Sequence, residues 1–308
     1  MKPVLRIDFC DFGPRFDKFD NFVTKILSTR FDVHITLNPD IVIYADSGNQ
    51  HRLHTCRRVF LTGEEIPHDF PTCDYALTPL HEVNDKCLRI PYYVRECDPA
   101  LLVKDAAQVE RIAAEKTAFC AFVVSYAHRK TRNRVEFFHK LSRYKKVNSA
   151  GRLLNNIGGP LPSGREAKIA FLRRHKFVIA FENAGTPGFT TEKPCDAIEA
   201  GCIPIYWGAP DIAKDFNPKS FINVADFPSF DHAVAHVVRV DNDPQLYRAM
   251  LAEPFLHGNK PGGLFDPARY CDFFEKILAD TSVPSGQRGI RAFFKNWNRW
   301  VLVKRNKF

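Results

Sequence analysis

An acidic and a basic residue, Glu192 and Lys193, stand side by side in the stretch TTEKPCDAIEAG. They follow the apolar run KFVIAFEN after a short loop with glycine and proline, and Thr190 or Thr191 is a candidate cap for a helix beginning near Glu192. Lysine at a helix N-terminus adds its charge to exposed backbone N–H groups, which favours binding of a phosphate or diphosphate. Glutamate can accept hydrogen bonds from neighbouring sugar hydroxyls. The alternative is a solvated first turn in which the helix dipole favours an acid.

Four more polar residues follow apolar runs and therefore qualify as site residues. In sheets of parallel strands, ligands bind beyond the carboxyl ends of the strands. Asn183 and Glu64 each end such a run, Asp11 follows the first one, and Arg132 lies in the basic stretch HRKTRNR after another. Plainer interpretations stay open, namely Asn183 as a turn residue, Arg132 as part of a solvated helix start and Glu64 as an exposed loop carboxylate.

Short apolar runs alternate with helical patterns along the chain. Strands are predicted at residues 4–9, 40–45, 57–63, 73–78 and 88–94, and then at 118–126, 176–183, 203–208 and 221–227. Helices are predicted at residues 17–29, 99–115, 130–143, 163–175 (with Ser163 and Glu166 as a capping box), 191–200, 229–239 and 266–280. Strands that are apolar throughout and alternate with helices indicate parallel sheets covered on both faces.

This pattern predicts an α/β protein of two domains. The chain has 308 residues, 45% of them hydrophobic, which is enough for two cores. The polar helix at 99–115 is the predicted joint, so that the first domain is 1–115, the second 116–280 and the remainder, 281–308, a tail.

The cysteines and the N-terminus favour a protein kept inside the cell. Nine cysteines, an odd number without any C-x-x-C pair, indicate reduced thiols rather than a disulfide frame or a zinc site. The chain begins directly in a strand pattern and has no apolar run of about 18 residues, the length needed for a membrane span. We therefore expect a cytoplasmic protein whose mature chain is the whole chain.

The formal net charge of +9 is concentrated at the C-terminus. Residues 288–308 carry seven lysines or arginines and no acid, which leaves 37 basic residues against 35 acidic ones elsewhere. Nucleic-acid binding would require a basic face on the folded body, so we expect no nucleic-acid partner.

The ordered motifs FVIAFEN, TEK, DAIEAG, IPIYWGAP and NPKSFINVADF resemble the donor-binding region of the α1,3/α1,4-fucosyltransferase family, and especially its bacterial members. These are inverting enzymes that use GDP-fucose. The close match covers residues 176–227, and weaker matches such as VFLTGE extend it over most of 1–280. The resemblance implies the GT-B fold, in which two Rossmann-like domains face one another, with GDP-fucose on the second domain and the acceptor on the first.

The resemblance also implies roles for the residues of the second domain. Lys193 and Arg132 match positions that contact the diphosphate, and Glu192 matches the glutamate that binds donor hydroxyls. Asn183 lies in the same pocket. A donor-binding tyrosine of the relatives has no clear counterpart in residues 151–162.

Transfer with inversion requires a base for the proton of the acceptor hydroxyl. Glu64 matches the proposed base of the family, with Glu65 as the alternative, and Asp11 is a weaker candidate on the acceptor side. Relatives often have aromatic and amide residues where this chain has CDFG. The expected acceptor is a glycan containing N-acetylglucosamine, with α1,3 or α1,4 linkage open. A transferase using another nucleotide sugar, or a non-catalytic binding protein, remains an alternative.

No metal or other cofactor is expected, because lysine and arginine can neutralise the diphosphate. Asp241 and Asp243 form a D-x-D pattern, but they lie far along the chain from the donor motif. We interpret them as residues of a loop and a helix cap.

The sequence of the C-terminal tail predicts an amphipathic helix, with one apolar face and one basic row. At helical spacing, Ile290, Phe293, Phe294, Trp297 and Val301 share one face, while Arg291, Lys295 and Arg299 form a basic row. Such a helix is typical of segments lying on an anionic membrane, so we expect a peripheral protein of the inner face of the cytoplasmic membrane. Packing of the helix on the first domain is the alternative. Gly286 and Gly289 favour a hinged, separable tail.

Vesicle sedimentation tests the membrane interpretation. Full-length protein should co-sediment with vesicles rich in anionic lipid, and less so as salt is raised, because salt screens charge attraction. A chain ending at Ser285 should stay soluble and still transfer fucose to a soluble acceptor. Unfolding of the shortened chain would instead show that the removed segment belongs to the folded body.

Overall fold

The computed structural model describes residues 1–81, 84–125 and 132–287. Their strands are, in chain order, β1 (Val4–Cys10), β2 (Asp32–Ile35), β3 (Ile41–Tyr44), β4 (Arg57–Leu61), β5 (Tyr75–Thr78), β6 (Cys87–Arg89), β7 (Ala118–Phe122), β8 (Val147–Ser149), β9 (His175–Phe181), β10 (Ile203–Trp207) and β11 (Ile222–Asn223). The α-helices are α1 (Phe22–Leu27), α2 (Tyr92–Glu96), α3 (Val109–Ala114), α4 (Arg132–Ser142), α5 (Arg165–Leu172), α6 (Lys193–Glu199), α7 (Phe230–Asn242), α8 (Pro244–Ala252) and α9 (Pro267–Ala279).

The chain divides into two compact units. The first unit comprises Met1–Ile90 and the described residues from Asp266 onward, and the second comprises Pro91–Phe265. Each unit contains one parallel sheet with helices around it, so the prediction of two parallel α/β units is confirmed.

The first unit is built on a six-stranded sheet in the order β2-β1-β3-β4-β5-β6, with every pair parallel. Ile7 of β1 pairs with Ile35 on one side and with Ile41 on the other. Helix α1 packs against α9, and Thr29 Oγ1 lies 3.6 Å from Cys271 Sγ beside that contact. The last described helix therefore completes the unit that the N-terminus begins.

The second unit has a five-stranded parallel sheet in the order β11-β10-β9-β7-β8. Its central strand β9 is apolar on both faces. Phe177, Ile179 and Phe181 belong to one core cluster, and Val178 belongs to another on the opposite side. Because successive side chains of a strand point to opposite faces, this double burial explains the uninterrupted apolar run in the sequence.

Several predicted elements differ from those observed. Strands β2 and β8 were not predicted, because DVHI and VNS are short and partly polar. The predicted strand at 88–94 ends at Arg89, and α2 follows Pro91, whose fixed φ of −56° suits the start of a helix. The predicted helix at 99–115 is broken, with α3 preceded by two 3₁₀ turns at Pro99–Leu102 and Ala106–Gln108. The carboxylates of Asp98 and Asp105 cap these turns, and aspartate favours such local bonds over a continuous helix.

The units divide the chain at residues 90/91 and 265/266 rather than at 115/116 and 280/281. The segment after Pro91 is attached to the second unit by side-chain hydrogen bonds. Lys104 Nζ donates to the Leu251 carbonyl at 2.8 Å, and Arg165 Nη2 lies 3.8 Å from Cys97 Sγ. These contacts join residues far apart in sequence, which a linear pattern does not reveal.

Two local predictions are wrong. The capping box of Ser163 and Glu166 does not form, because Gly164, with φ of 126°, turns the chain immediately before α5. Asp241 does not lie in a loop. It is a buried residue of α7 whose carboxylate accepts hydrogen bonds from Lys145 and Lys176, each at 2.5 Å. Its surroundings are those of a buried ion-pair network.

Asp243 caps a helix as predicted. Its Oδ1 accepts from the backbone N–H groups of Gln245 and Leu246 at 3.0 Å, at the start of α8.

Within the three described ranges there is no group of three or more His, Cys, Asp or Glu side chains arranged to hold a metal ion. None of the helices in those ranges is long and apolar enough to cross a membrane.

The segment around Gly286 is part of the first unit and not a hinge. Ser285 donates to Asp74 through its backbone N–H at 2.7 Å and through its hydroxyl at 2.9 Å. Gln287 donates to the Thr55 carbonyl at 3.1 Å. The predicted hinge at Gly286 is therefore wrong, and a chain that tests the tail should end at Gln287. The predicted tail helix of 288–308, with Gly289, lies outside the described residues.

Replacing Gly286 by alanine should destabilise the first unit. A Cβ at this position would lie 2.5 Å from the His54 carbonyl oxygen, and overpacking of this kind costs about 1–3 kcal/mol. Urea unfolding of Gly286→Ala should show a lower free energy of unfolding. Gly13→Ala, in the same unit and with no atom within 4 Å of the new Cβ, should unfold like the parent protein. Equal stability of both variants would contradict the close packing of Gly286.

Candidate functional site

The candidate donor residues of the second unit lie in and beside the loop between β9 and α6. Strand β9 ends at Phe181, and Glu182 extends it because its backbone N–H donates to the Trp207 carbonyl at 2.8 Å. The next residue, Asn183, is exposed. The loop therefore starts at the carboxyl edge of the sheet, where parallel α/β folds bind ligands.

A buried carboxylate closes this loop. The Glu182 side chain is fully buried and accepts hydrogen bonds from Thr191 N and Thr191 Oγ1, both at 2.7 Å, and from Lys193 Nζ at 2.9 Å. Lys193 Nζ also donates to Thr191 Oγ1 at 2.7 Å. The start of α6 is thus bound to the end of β9, and Lys193 is held at a fixed position.

Thr191 does not cap α6, contrary to the sequence prediction. Its hydroxyl and backbone N–H are used by Glu182, and Thr190 does not cap the helix either. The residue that precedes the helix is Glu192, which makes no side-chain cap. Because α6 spans seven residues and Pro194 supplies no N–H, the side chains rather than the helix terminus provide the polar groups here.

Opposite charges surround Glu192 and Lys193. Burial acts to lower the pKa of Lys193, but the carboxylates of Glu182 and Glu192 outweigh it, so the pKa is raised. Burial acts to raise the pKa of Glu192, but Lys193 and Lys168 outweigh it, so that pKa is lowered. Both residues are therefore charged at neutral pH.

Lys168 of α5 also pairs with carboxylates of this site, although it lies outside the stretch TTEKPCDAIEAG. Its Nζ lies 2.6 Å from Asp196 Oδ2 and 3.6 Å from Glu192 Oε1. Sequence reasoning did not identify Lys168, because its proximity to α6 depends on the packing of α5 against α6.

Two arginines of α4 have different surroundings. Arg132, the first described residue of the helix, is exposed, whereas Arg134 is buried. Arg134 Nη2 donates to the Phe181 carbonyl at 3.2 Å, the Glu182 carbonyl at 2.9 Å and Asn183 Oδ1 at 2.8 Å. The structure thus brings Arg134, rather than Arg132, into contact with the loop.

In the sequence, Arg134 is only the last residue of the basic stretch HRKTRNR that contains Arg132. A signal for its burial was present in the spacing. It lies three and four residues before Phe137 and Phe138, which are themselves buried with Leu141 on one face of α4. An arginine on an apolar face indicates a buried polar partner.

Glu64 and Asp11 belong to the first unit. Glu64 is exposed, follows β4 by three residues, and donates its backbone N–H to Thr62 Oγ1 at 3.0 Å. Glu65 is half-buried. An exposed carboxylate beyond the carboxyl end of a parallel strand agrees with the predicted placement of Glu64.

Asp11 has a different environment from the one expected of an acceptor contact. It is buried with φ of 62°, and its carboxylate accepts from Gln50 N at 2.8 Å, His51 N at 3.0 Å and His51 Nδ1 at 2.6 Å. Burial acts to raise the pKa of Asp11, but these hydrogen bonds lower it. The carboxylate therefore holds the loop after β3 in place.

Comparisons with known proteins agree with this architecture. Residues 113–252 match the family model described as glycosyltransferase family 10 (fucosyltransferase), C-terminal part. Residues 7–95 match the model of the N-terminal domain of α-(1,3)-fucosyltransferase FucT. Together the two matches cover well over half of the chain and include parts of both units.

Two individual relatives are α-(1,3)-fucosyltransferases. The chain is 32% identical over 267 residues to α-(1,3)-fucosyltransferase FucT of Helicobacter pylori, which covers 74% of this chain and 55% of that protein. It is 34% identical over 140 residues to human α-(1,3)-fucosyltransferase 4, covering 44% of this chain and 25% of the relative. The chain thus spans about half the length of the Helicobacter relative and less of the human one.

A crystal structure of an α1,3-fucosyltransferase with GDP-fucose superposes with a TM-score of 0.77 at 28% identity, covering 92% of this chain and 93% of that one. A structure of an α1,3-fucosyltransferase with GDP gives a TM-score of 0.74 at the same identity. These likenesses agree with the GT-B fold class expected from the sequence. From the family models, the relatives and the fold together, this chain belongs to glycosyltransferase family 10, the fucosyltransferases.

Proposed function

We propose that this protein transfers L-fucose, with inversion, from GDP-β-L-fucose to a hydroxyl of a glycan that contains N-acetylglucosamine, forming an α1,3 or α1,4 linkage. The observation that carries the proposal is the closed β9–α6 loop, in which a buried carboxylate holds Lys193 next to Glu192. Its sequence lies within the family model, and a family structure that contains GDP-fucose has the same fold.

The diphosphate of the donor would be bound by cationic side chains. An ammonium group has three N–H donors, and Lys193 uses one for Glu182 and one for Thr191. The third is available for a phosphate oxygen. Arg132, the exposed first described residue of α4, would supply a second cation. With this charge balance GDP is a good leaving group, and the proposed reaction needs no metal or other cofactor.

The fucosyl group would be recognised by Glu192 and Asn183. The lowered pKa of Glu192 keeps its carboxylate ionised, so it can accept hydrogen bonds from two hydroxyls of the sugar. Asn183 is exposed in the same loop and presents amide groups to the donor.

In the proposed reaction the acceptor hydroxyl attacks the anomeric carbon from the face opposite GDP, and its proton passes to a base. We assign this role to Glu64, because its carboxylate is exposed beyond the carboxyl end of β4. A second, acidic carboxyl group is unnecessary because GDP leaves as an anion that cations stabilise.

We also propose that the protein works at the cytoplasmic face of the membrane. The proposal rests on the basic and aromatic composition of residues 288–308, which suits an anionic lipid surface. Acceptors assembled on lipid carriers would then be within reach of the enzyme.

The direct test is a transfer assay with GDP-fucose and a panel of N-acetyllactosamine, lacto-N-biose and related acceptors, with products identified by mass spectrometry and linkage NMR. An α-linked fucosyl product is expected. Transfer from another nucleotide sugar but not from GDP-fucose would contradict the donor assignment, and donor binding without any transfer would indicate a non-catalytic protein.

Replacing Glu64 by glutamine should lower kcat by about 10²-fold or more, the usual contribution of a positioned general base, while the affinity for GDP-fucose stays nearly unchanged. Steady-state kinetics and calorimetry measure the two effects separately. Glu65→Gln is the matched control and should retain most of the activity. An equal loss of donor affinity in Glu64→Gln would show that Glu64 is not the base.

Replacing Lys193 or Arg132 by alanine should weaken GDP binding, because each loses a charged hydrogen bond worth about 1.5–3 kcal/mol. Calorimetry with GDP alone measures this loss, with Arg143→Ala as the control for removing one exposed arginine near the other end of α4. Lys193→Ala should also lower the unfolding temperature, since Glu182 then loses its cationic partner. If both variants bind GDP like the parent protein, neither residue contacts the diphosphate.

Chelation tests the metal-free mechanism. EDTA should leave the transfer rate unchanged within a factor of about two, because the cations that balance the diphosphate are side chains. Loss of transfer with EDTA that returns specifically with manganese would show that the reaction depends on a metal ion.

A further inference from the structure

We propose that the second unit has a further ligand site, a cavity at the amino edge of its sheet that binds a small organic anion with an apolar body. The cavity has a volume of about 400 Å³. Pockets that hold small organic ligands have volumes of about 300–1,000 Å³. None of the candidate donor residues lines this cavity, so the site is separate from the proposed function.

The cavity lies at the opposite edge of the sheet from the donor loop. Arg173, which precedes β9, and Gly201 and Cys202, which precede β10, are part of its wall. The loop with Glu192 and Lys193 follows the other end of β9. The seven residues of β9 separate the two edges by about 20 Å, at about 3.3 Å per residue. A ligand in the cavity would therefore not overlap with a donor bound at that loop.

Part of the wall is apolar. Helix α3 contributes Val109 and Ile112, and the end of α6 contributes Ile198. Leu101 and Val103, from the segment before α3, also line the cavity and remain 52% and 40% exposed. Covering these side chains with the apolar part of a ligand would remove apolar surface from water, which favours binding.

Lys104 is held at the wall by both its backbone and its side chain. Its backbone N–H donates to Asn259 Oδ1 at 2.9 Å, and its carbonyl accepts from Asn259 Nδ2 at 2.7 Å. Its Nζ donates to the Leu251 carbonyl at 2.8 Å. An ammonium group has three N–H donors, so two remain for a ligand.

The carboxylates of the wall already have partners. Glu115 Oε1 accepts from Arg111 Nη1 at 2.6 Å, and Glu199 Oε2 accepts from Arg165 Nη2 at 2.5 Å. Asp105 accepts from the side-chain amide of Gln108 at 3.0 Å. These acids are therefore not available to neutralise other cations of the cavity.

Two cations of the wall lack such a partner. Within the described ranges, neither Lys104 nor Arg173 forms an ion pair with a carboxylate. Burial lowers the pKa of Lys104 to about 8, and the carboxylate of Glu253 acts in the opposite direction without outweighing it. A partly desolvated cation gains from an anionic partner that accepts its remaining N–H donors.

These features define the chemical class of the ligand. A carboxylate or sulfonate group would accept hydrogen bonds from Lys104 and Arg173, while an apolar body would cover Ile112 and Ile198. Inorganic phosphate has the charge but not the apolar body, so it would leave that part of the wall in water.

The fluorescent dye anilinonaphthalene sulfonate, an organic anion with aromatic rings, is a suitable probe. Titration of the full chain should show dye binding that octanoate reverses and that inorganic phosphate at the same concentration does not. Excess GDP should leave the dye bound. Displacement by GDP would assign the dye to the donor residues, and equal displacement by phosphate and octanoate would contradict the apolar subsite.

Variants locate the dye. Lys104→Met should weaken dye binding at least about tenfold, the scale of one charged hydrogen bond, and Arg173→Met at least about threefold. Arg174→Met is the matched control, because this exposed neighbour does not line the cavity, and it should bind like the parent protein. If Lys104→Met does not fold, Arg173→Met alone decides. Losses no larger than that of Arg174→Met would overturn the proposal.

The pH dependence of dye binding gives a second readout. Affinity should fall as the pH is raised from about 7 to about 9, because Lys104 then loses its proton. Cys202, whose pKa burial raises to about 11, keeps its proton over this range. Burial also lowers the pKa of Lys116, but that lysine is common to all the variants.

Lys104→Arg separates the two lysines, since a guanidinium keeps its charge throughout this range. This variant should bind the dye with an affinity that changes less than about twofold between the two pH values, because the titrating amine is gone. An affinity of the parent protein that does not depend on pH, or a Lys104→Arg profile identical to that of the parent protein, would show that Lys104 does not bind the anion.

Discussion

The hydrogen bonds of the buried Glu182 carboxylate determine the shape of the candidate donor loop. The side chain has no access to solvent, and its acceptors are used by the backbone and hydroxyl of Thr191 and by Lys193. A buried carboxylate without such partners would destabilise the unit, so the chain after β9 must return to it. That return also fixes the position of Glu192 and Lys193. The same bonds therefore stabilise the second unit and arrange the residues proposed to bind the donor.

Around this carboxylate, charges of opposite sign alternate through the site. Arg134 binds the carbonyl of Glu182, Lys193 binds its carboxylate, and Lys168 lies near Glu192 and Asp196. Side chains paired in this way are held in place before a ligand binds, which reduces the ordering cost of binding. In the first unit, too, a buried carboxylate holds a loop in place. Its buried Asp11 holds the loop that contains His51, whereas Glu64 is left exposed.

Much of the fold follows from the sequence because its signals are local. Central strands such as β9 are apolar on both faces and stand out in the pattern. Gly201, with φ of 67°, follows the C-cap of α6, a position at which glycine is favoured. The short edge strands β2 and β8 were not recognised, since each has few apolar residues. The unit boundaries also differ from the predicted ones, because α9 packs against α1, at the other end of the chain.

For the candidate site, the sequence by itself determined the residue types, their order and their place after β9, because the apolar run, the loop and the Glu-Lys pair are contiguous. It also indicated Glu64 beyond β4. Only the tertiary structure decided which side chains are partners. Arg134 reaches Asn183 across 49 residues of sequence, and Asp11 reaches His51 across 40. Hydrogen bonds depend on distance and direction in space, and a linear pattern carries neither for residues brought together by packing.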